Sequence, residues 1–160
     1  MKSNNGFQTK VWGPPAWLFL HVVSLNYRKE NAKQYKIFFE SLKHVLPCGA
    51  CRENYGKILK EMPMNANVMK SRYNLAAWLF RVHNEVANDI YKKTNQRENK
   101  PLYKNSKKDF EKVAKFYEQF RAKCMKNAYG CVVPQNGTRK MAKITIVPFK
   151  GKRSKIDMKN

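Results

Sequence analysis

Apolar side chains recur every three or four residues along most of the chain, which is the spacing of one face of an α-helix. The first such stretch, residues 16–27, follows Trp12-Gly13-Pro14-Pro15, which predicts a turn and a helix start because proline suits a first helical turn. The second stretch ends at Pro47, since proline cannot continue a helix. A third helix is predicted to begin at Cys48-Gly49-Ala50-Cys51.

The fourth stretch has the clearest helical period. Its apolar stripe consists of Leu75, Trp78, Leu79, Val82, Val86 and Ile90, with His83 in the same stripe. Residues 94–108 are polar and basic and predict a loop. A fifth helix is predicted from about Asp109, and Cys124 falls in register with its apolar face. The pattern therefore predicts an all-α fold, a compact bundle of four or five short amphipathic helices.

The length and composition fit one domain with a tail. The chain has 160 residues, of which 42% are apolar, enough to bury a core. We expect the domain to span residues 1–131. Residues 132–160 carry eight Lys or Arg against one Asp, which predicts a basic and flexible tail.

The charge of the chain is strongly positive. Lys and Arg number 33 against 11 Asp and Glu, a formal net charge of +22. Such a charge excludes an acidic scaffold and favours anionic partners, but it does not define a fold. The start of the chain lacks the apolar stretch of a signal peptide. No apolar run approaches the ~18 residues that a membrane span needs, so we expect no membrane insertion.

Cys48 and Cys51 are the strongest chemical signal. A Cys-x-x-Cys at a helix start places a thiol near unpaired backbone N–H groups, which stabilise the thiolate that attacks disulfides. The pair could instead be ordinary buried cysteines or half of a zinc site. Zinc would need two further ligands, and six residues separate Cys124 from Cys131, against about two to four in structural zinc sites. His44 is a further candidate ligand, so at this point the alternatives stay open.

Aromatic and imidazole side chains lie on or beside the apolar faces of two predicted helices. They are Trp17, His21, Trp78, His83 and Asn84. Each of them alone is explained by a place in the core. A Trp–His pair on each of two helices, together with a dithiol, favours a planar cofactor held between flat apolar walls and a few polar groups.

Three segments in order resemble the Erv/ALR family of flavin-linked sulfhydryl oxidases. Residues 12–21 resemble its opening G-x-x-x-W-x-x-x-H segment, residues 47–51 its P-C-x-x-C disulfide, and residues 78–86 its W-x-x-x-x-H-N-x-V nucleotide segment. The resemblance implies a four-helix bundle with a short fifth helix, usually a homodimer, with FAD in the mouth of the bundle. It implies no metal.

The resemblance also implies an activity and a set of site residues. A protein dithiol would attack the Cys48–Cys51 disulfide, and the electrons would pass from Cys51 through FAD to O2, giving hydrogen peroxide. The implied FAD-binding residues are Gly13, Trp17, His21, Tyr27, Trp78, His83, Asn84, Val86 and Lys92. Small family members occur in the mitochondrial intermembrane space and in large cytoplasmic DNA viruses. The minimal bundle favours a viral member, acting in the infected cell's cytoplasm or in the virion.

The chain departs from the family pattern at two places. Ala87 stands where the family commonly has the last Asn of its nucleotide segment, with Asn88 one residue further on. The later cysteine pair, Cys124 and Cys131, is more closely spaced than the family's usual bridge. We expect this pair to be a structural staple, because Cys124 is predicted on an apolar helix face, with a shuttle disulfide as the alternative.

A different class of protein also accounts for the four cysteines and the basic charge. This alternative is a zinc-stabilised, nucleic-acid-binding module with its basic tail on phosphates. An oxidase whose basic surface associates with nucleic acid is a third possibility, less favoured than a solvated basic surface.

Overall fold

A computed structural model describes residues 6–97 and 100–135, and most of these residues are helical. The helices are α1 (Thr9–Leu25), α2 (Ala32–Val45), α3 (Gly49–Glu61), α4 (Arg72–Thr94) and α5 (Lys107–Glu118). Single 3-10 turns lie at Lys29–Asn31 and Val68–Lys70. Two short strands, β1 (Ala122–Lys123) and β2 (Val133–Pro134), pair antiparallel. The all-α prediction is confirmed. Most of the predicted tail, residues 136–160, lies outside the described residues.

The chain divides into two compact units, Met1–Phe110 and Glu111–Asn160. In the first unit α4 contacts both α1 and α3, and α2 packs on α3. Leu75, Leu79 and Val82 of α4 are fully buried, as the stripe predicted, whereas Ile90 is exposed. Phe39 of α2 meets Trp78 edge to face and closes the core between these helices.

Helix α1 begins earlier than predicted. The turn expected over residues 12–15 is helical, and Pro14 and Pro15 lie inside the helix. Each proline removes an amide donor from the helix, which is why the sequence predicted a start there. The first turn of α1 is stabilised by a residue that precedes the helix, since the Trp12 indole Nε1–H donates to the Phe7 carbonyl at 3.1 Å.

Helix α4 has a defined cap at each end. The Ser71 hydroxyl accepts the Asn74 backbone N–H at 3.1 Å, which satisfies one of the free donors of the first turn. At the other end Asn95 adopts the left-handed conformation with φ 49° and stops the helix. Because α4 carries residues of the candidate site, these caps fix its length and position.

In the second unit α5 ends before the predicted register reaches Cys124. The helix stops at Glu118, and the next amides, of Phe120 and Arg121, bond to carbonyls three residues back, as in a turn. Cys124 therefore does not lie on the apolar face of α5, and that prediction was wrong. It is exposed and disulfide-bonded to Cys131 across the hairpin that β1 and β2 form.

No helix within residues 6–97 and 100–135 combines the length and the apolar character that crossing a bilayer requires.

Candidate active site

The Cys48–Cys51 disulfide lies at the start of α3. Cys48 is the N-cap residue, with an extended backbone, and its Sγ accepts the Cys51 backbone N–H at 3.2 Å. The sulfur thus takes the place of the oxygen that usually caps a helix, beside the positive end of the helix dipole. The Arg52 guanidinium donates to the Leu46 carbonyl at 2.6 Å and fastens the start of α3 to the end of the preceding helix.

The segment before α1 lies against this disulfide. The Phe7 backbone N–H donates to the Pro47 carbonyl at 2.9 Å. The Thr9 hydroxyl lies 4.0 Å from the Cys51 Sγ, within hydrogen-bond range for sulfur. Neither Phe7 nor Thr9 was predicted as a site residue, since a contact with a segment some forty residues away leaves no local sequence signal.

A cavity of about 490 Å³ opens beside Cys48. It is lined by Gly6, Phe7, Cys48, Gly49, Ala50 and Glu53. Cys48 lines this cavity, whereas Cys51 faces Thr9. The two sulfurs of the disulfide therefore have different surroundings.

A stack of aromatic and imidazole rings joins α1 to α4. Trp17 and His83 lie face to face, with ring centroids 3.9 Å apart and planes 9° from parallel. His21 lies next to His83, with Nε2 to Nδ1 at 3.0 Å. The structure thus brings together three of the residues that the sequence analysis singled out. A flat surface of this kind, with polar ring nitrogens at its edge, suits a planar heteroaromatic ligand.

Both histidines of the stack are neutral at physiological pH. Burial, reinforced by His83, lowers the pKa of His21 from 6.5 to about 3. Burial lowers the pKa of His83 from 6.5 to about 4. One neutral ring therefore donates its N–H to the unprotonated nitrogen of the other. The pair therefore places no positive charge beside a ligand.

Four other predicted site residues lie on the same two helices. Gly13 is buried in α1, one helical turn before Trp17. Asn84 is buried, and its amide donates to the Asn105 side chain at 2.8 Å, a partner that sequence reasoning did not find. Val86 is partly buried against the core. Lys92 is exposed, with its Nζ 4.0 Å from a carboxylate oxygen of Glu85.

Two predicted cofactor contacts have partners in the protein core. The Trp78 indole Nε1–H donates to the Met62 carbonyl at 2.9 Å, and its ring is fully buried. The Tyr27 hydroxyl donates to the Met69 carbonyl at 2.6 Å. These contacts account for both side chains as structural residues. A role for either in holding a cofactor stays a prediction.

The cysteines do not form a cluster of metal ligands in the part of the chain that the structure describes. They are paired as Cys48–Cys51 and Cys124–Cys131. Across residues 6–97 and 100–135 there is no group of three or more His, Cys, Asp or Glu that could hold a metal ion. Cys48 and Cys51 are thus present as a disulfide at a helix start, which is the arrangement that disulfide exchange requires.

Fold and site together define an all-α domain with a Cys-x-x-Cys disulfide and a stacked Trp–His surface between two helices. The sequence model of the Erv1/Alr family matches residues 14–121, which is more than half of the chain. The chain therefore belongs to the Erv1/Alr family, and the predicted resemblance is confirmed.

Two curated proteins show the same relationship. The chain is 42% identical over 79 residues to a probable FAD-linked sulfhydryl oxidase of Acanthamoeba polyphaga mimivirus, covering 47% of this chain and 55% of that protein. It is 30% identical over 84 residues to the mitochondrial FAD-linked sulfhydryl oxidase of Saccharomyces cerevisiae, covering 50% of this chain and 43% of that protein. The chain spans about half the length of the curated relatives it matches.

Proposed function

We propose that this chain is an FAD-dependent thiol oxidase that converts protein dithiols to disulfides. The observation that carries the proposal is the Cys48–Cys51 disulfide at the start of α3, in contact with Thr9 of the helix that bears the Trp17 side of the ring stack. Membership of the Erv1/Alr family and the names of the two relatives support the same activity.

The first step is disulfide exchange at Cys48. A substrate thiolate attacks the Cys48 Sγ, the Cys48–Cys51 bond breaks, and Cys51 leaves with the electron pair as a thiolate. The second substrate thiolate then attacks the substrate sulfur of the mixed disulfide and releases Cys48. The substrate leaves as a disulfide, and the enzyme holds the two electrons in its reduced Cys48 and Cys51 thiols.

The surroundings of the two sulfurs favour this direction of attack. Cys48 lines an open cavity, so an incoming thiolate can reach it. The Thr9 hydroxyl can donate to the Cys51 thiolate as it leaves. The Cys48 thiolate, once released, is stabilised by the Cys51 N–H and the helix start.

The ring stack fits the cofactor that this chemistry needs. Trp17 and His83 offer flat ring surfaces, and the neutral histidine pair adds no positive charge beside them, which suits a flavin or adenine ring. Asn84 would add an amide and Lys92 a positive charge for the diphosphate, with Gly13 and Val86 as close apolar contacts. When bound, FAD supplies an acceptor for the electron pair of the dithiol and a route to O2, with hydrogen peroxide as the product.

The partners and location follow from the same proposal. The substrates are protein thiols and the acceptor is O2. The chain forms a homodimer, for which exposed apolar side chains on α1 and α2 provide a surface, namely Phe19, Val22 and Ile37. One relative is viral and the other mitochondrial. We assign the chain to the cytoplasm of an infected cell or the virion, with the intermembrane space as the alternative.

Oxygen consumption with dithiothreitol tests the proposal. The purified protein should consume O2 and form hydrogen peroxide in equal amounts. Cys51→Ser should abolish this turnover while FAD stays bound, because the variant cannot form the internal disulfide. A matched control, Cys124→Ser/Cys131→Ser, removes the other disulfide and should keep the turnover. Full activity of Cys51→Ser would overturn the proposal.

A further inference from the structure

Phe7, which lines the cavity beside Cys48, combines a hydrogen-bonded backbone with an exposed side chain. The backbone of Phe7 is bonded on both sides, its N–H to the Pro47 carbonyl at 2.9 Å and its C=O to the Trp12 indole at 3.1 Å. The residue is nevertheless 78% exposed. An aromatic side chain on a fixed backbone loses little freedom when another group packs on it, which suits it to recognition.

Gly6 makes this close approach possible. A Cβ at Gly6 would overlap the Pro47 carbonyl oxygen and crowd the Cys48 Cα at 3.1 Å. Any side chain there would push the segment away from the disulfide. The position of Phe7 beside Cys48 therefore depends on glycine at this residue.

The lining of the same cavity includes a carboxylate. This carboxylate belongs to Glu53, which is exposed on α3. Glu53 takes part in none of the ion pairs between the residues that the structure describes. Its neighbour Arg52 is directed to the Leu46 carbonyl and does not line the cavity. Lys57 lies one turn further along α3 and also does not line it. In a chain of net charge +22, the cavity beside the reactive sulfur thus presents a negative group.

We propose that this cavity is a subsite for a lysine or arginine side chain next to the reactive cysteine of a protein substrate. A cation is the side-chain type that gains from both of these lining residues, by a cation–π contact with Phe7 and an ion pair with Glu53. The cavity volume of about 490 Å³ is ample for such a side chain. Because Cys48 lines the same cavity, residues that flank the attacking cysteine arrive there. The inference rests on the proposed thiol exchange at Cys48.

The test uses two dithiol peptides that differ only in a lysine or a glutamate beside the first cysteine. With the FAD-loaded full chain, the lysine peptide should have a KM lower by about threefold to tenfold, the range expected for one exposed cation–π contact plus one exposed ion pair. Glu53→Gln and Phe7→Ala should each raise the KM for the lysine peptide and reduce this preference. Glu53→Gln should not change turnover of dithiothreitol, because dithiothreitol has no flanking residue.

The matched control is Glu61→Gln, which removes a carboxylate from the last turn of the same helix, away from the cavity. It should leave the preference as it is. Equal KM values for the two peptides, or a preference that survives Glu53→Gln, would overturn the subsite.

A second measurement separates the subsite from the oxidase activity. In Cys51→Ser protein the free Cys48 thiolate attacks a peptide carried as a mixed disulfide with a small thiol. The small thiol leaves, and a Cys48–peptide disulfide forms that mass spectrometry detects without FAD or O2. The lysine peptide should react faster by about the same factor, and added salt should reduce the difference. If the wild-type protein does not turn over dithiothreitol, the proposed oxidase activity is wrong. If the lysine and glutamate peptides are trapped at equal rates, the subsite alone is wrong.

Discussion

His21 of α1 and His83 of α4 meet at 3.0 Å through their ring nitrogens, with Trp17 stacked on the face of His83. The contact joins the two helices that bear the ring stack, and it needs at least one neutral ring to accept the hydrogen bond. Two positive imidazoles at this distance would repel each other, and each would have to be charged in a buried place. The arrangement therefore makes the site sensitive to acid.

The histidine pair predicts a loss of stability between pH 7 and pH 5. The folded pKa values, about 3 and about 4, lie below the unfolded value of 6.5, so the unfolded chain binds more protons in this range. The stabilisation is fully present above pH 6.5 and is lost as the pH falls. Each histidine should cost about 2 kcal/mol of unfolding free energy by pH 5. Urea unfolding at the two pH values measures the loss.

The control for this prediction is His83→Gln, which removes one titrating ring and its effect on His21. The variant should be less stable at pH 7 and should show about half of the wild-type loss on acidification. An unfolding free energy that is the same at pH 7 and pH 5 in the wild type would contradict the neutral pair.

Thr9 should act as a positioning residue for the leaving sulfur. Thr9→Val keeps the shape of the side chain and removes the hydroxyl that lies 4.0 Å from Cys51. Turnover of dithiothreitol should fall by about threefold, the effect of one modest hydrogen bond. Thr9→Ser retains a hydroxyl and should recover the rate. The pKa of Cys51 in reduced protein, followed by thiolate absorbance, should rise in Thr9→Val alone. Unchanged values in both variants would show that the hydroxyl is not used.

The Cys124–Cys131 pair should be a staple of the hairpin and not an electron carrier. The double variant Cys124→Ser/Cys131→Ser removes a cross-link that typically contributes about 2–4 kcal/mol. We expect easier proteolysis within residues 119–135, with oxidation of dithiothreitol and of a reduced protein substrate both kept. Loss of protein oxidation with dithiothreitol oxidation intact would assign the pair as a shuttle instead.

The exposed apolar side chains of α1 and α2 should form the dimer surface. Phe19 and Ile37 are each more than half exposed, and Phe19 meets Phe38 of α2 edge to face, so apolar side chains of the two helices can form one surface for a partner to cover. Phe19→Glu/Ile37→Glu should convert a dimer to a monomer in sedimentation equilibrium. Val132→Glu changes an exposed apolar residue of the hairpin and should leave the dimer intact. A wild-type chain that sediments as a monomer would contradict the proposal.

Helical periodicity predicted the helices because each one buries a single stripe. It could not predict where α1 and α5 begin and end. Pro14 and Pro15 indicate a helix start by their local chemistry, yet the first turn is extended by the contact of Trp12 with Phe7. Cys124 continues the apolar period of α5 in the sequence, but the helix ends at Glu118. The period of apolar residues alone does not show where the helical backbone ends.

The candidate site divides in the same way. Cys48, Cys51, His21 and His83 were predictable because they combine a chemical type with a position on a helix. The sequence did not predict Phe7, Thr9 or Asn105, because the role of each depends on a contact with a residue far along the chain. Their residue types and local surroundings in the sequence do not indicate such a contact.

Whether the chain is a flavin-dependent oxidase is tested by the visible absorption spectrum of the purified protein, recorded together with its metal content. We expect a yellow protein with one flavin per chain, whose absorption bleaches when dithiothreitol is added without oxygen and returns when air is admitted. Trp17→Ala should fold and lose the flavin. A colourless protein that carries one zinc ion per chain would show that the chain is not a flavin-dependent oxidase.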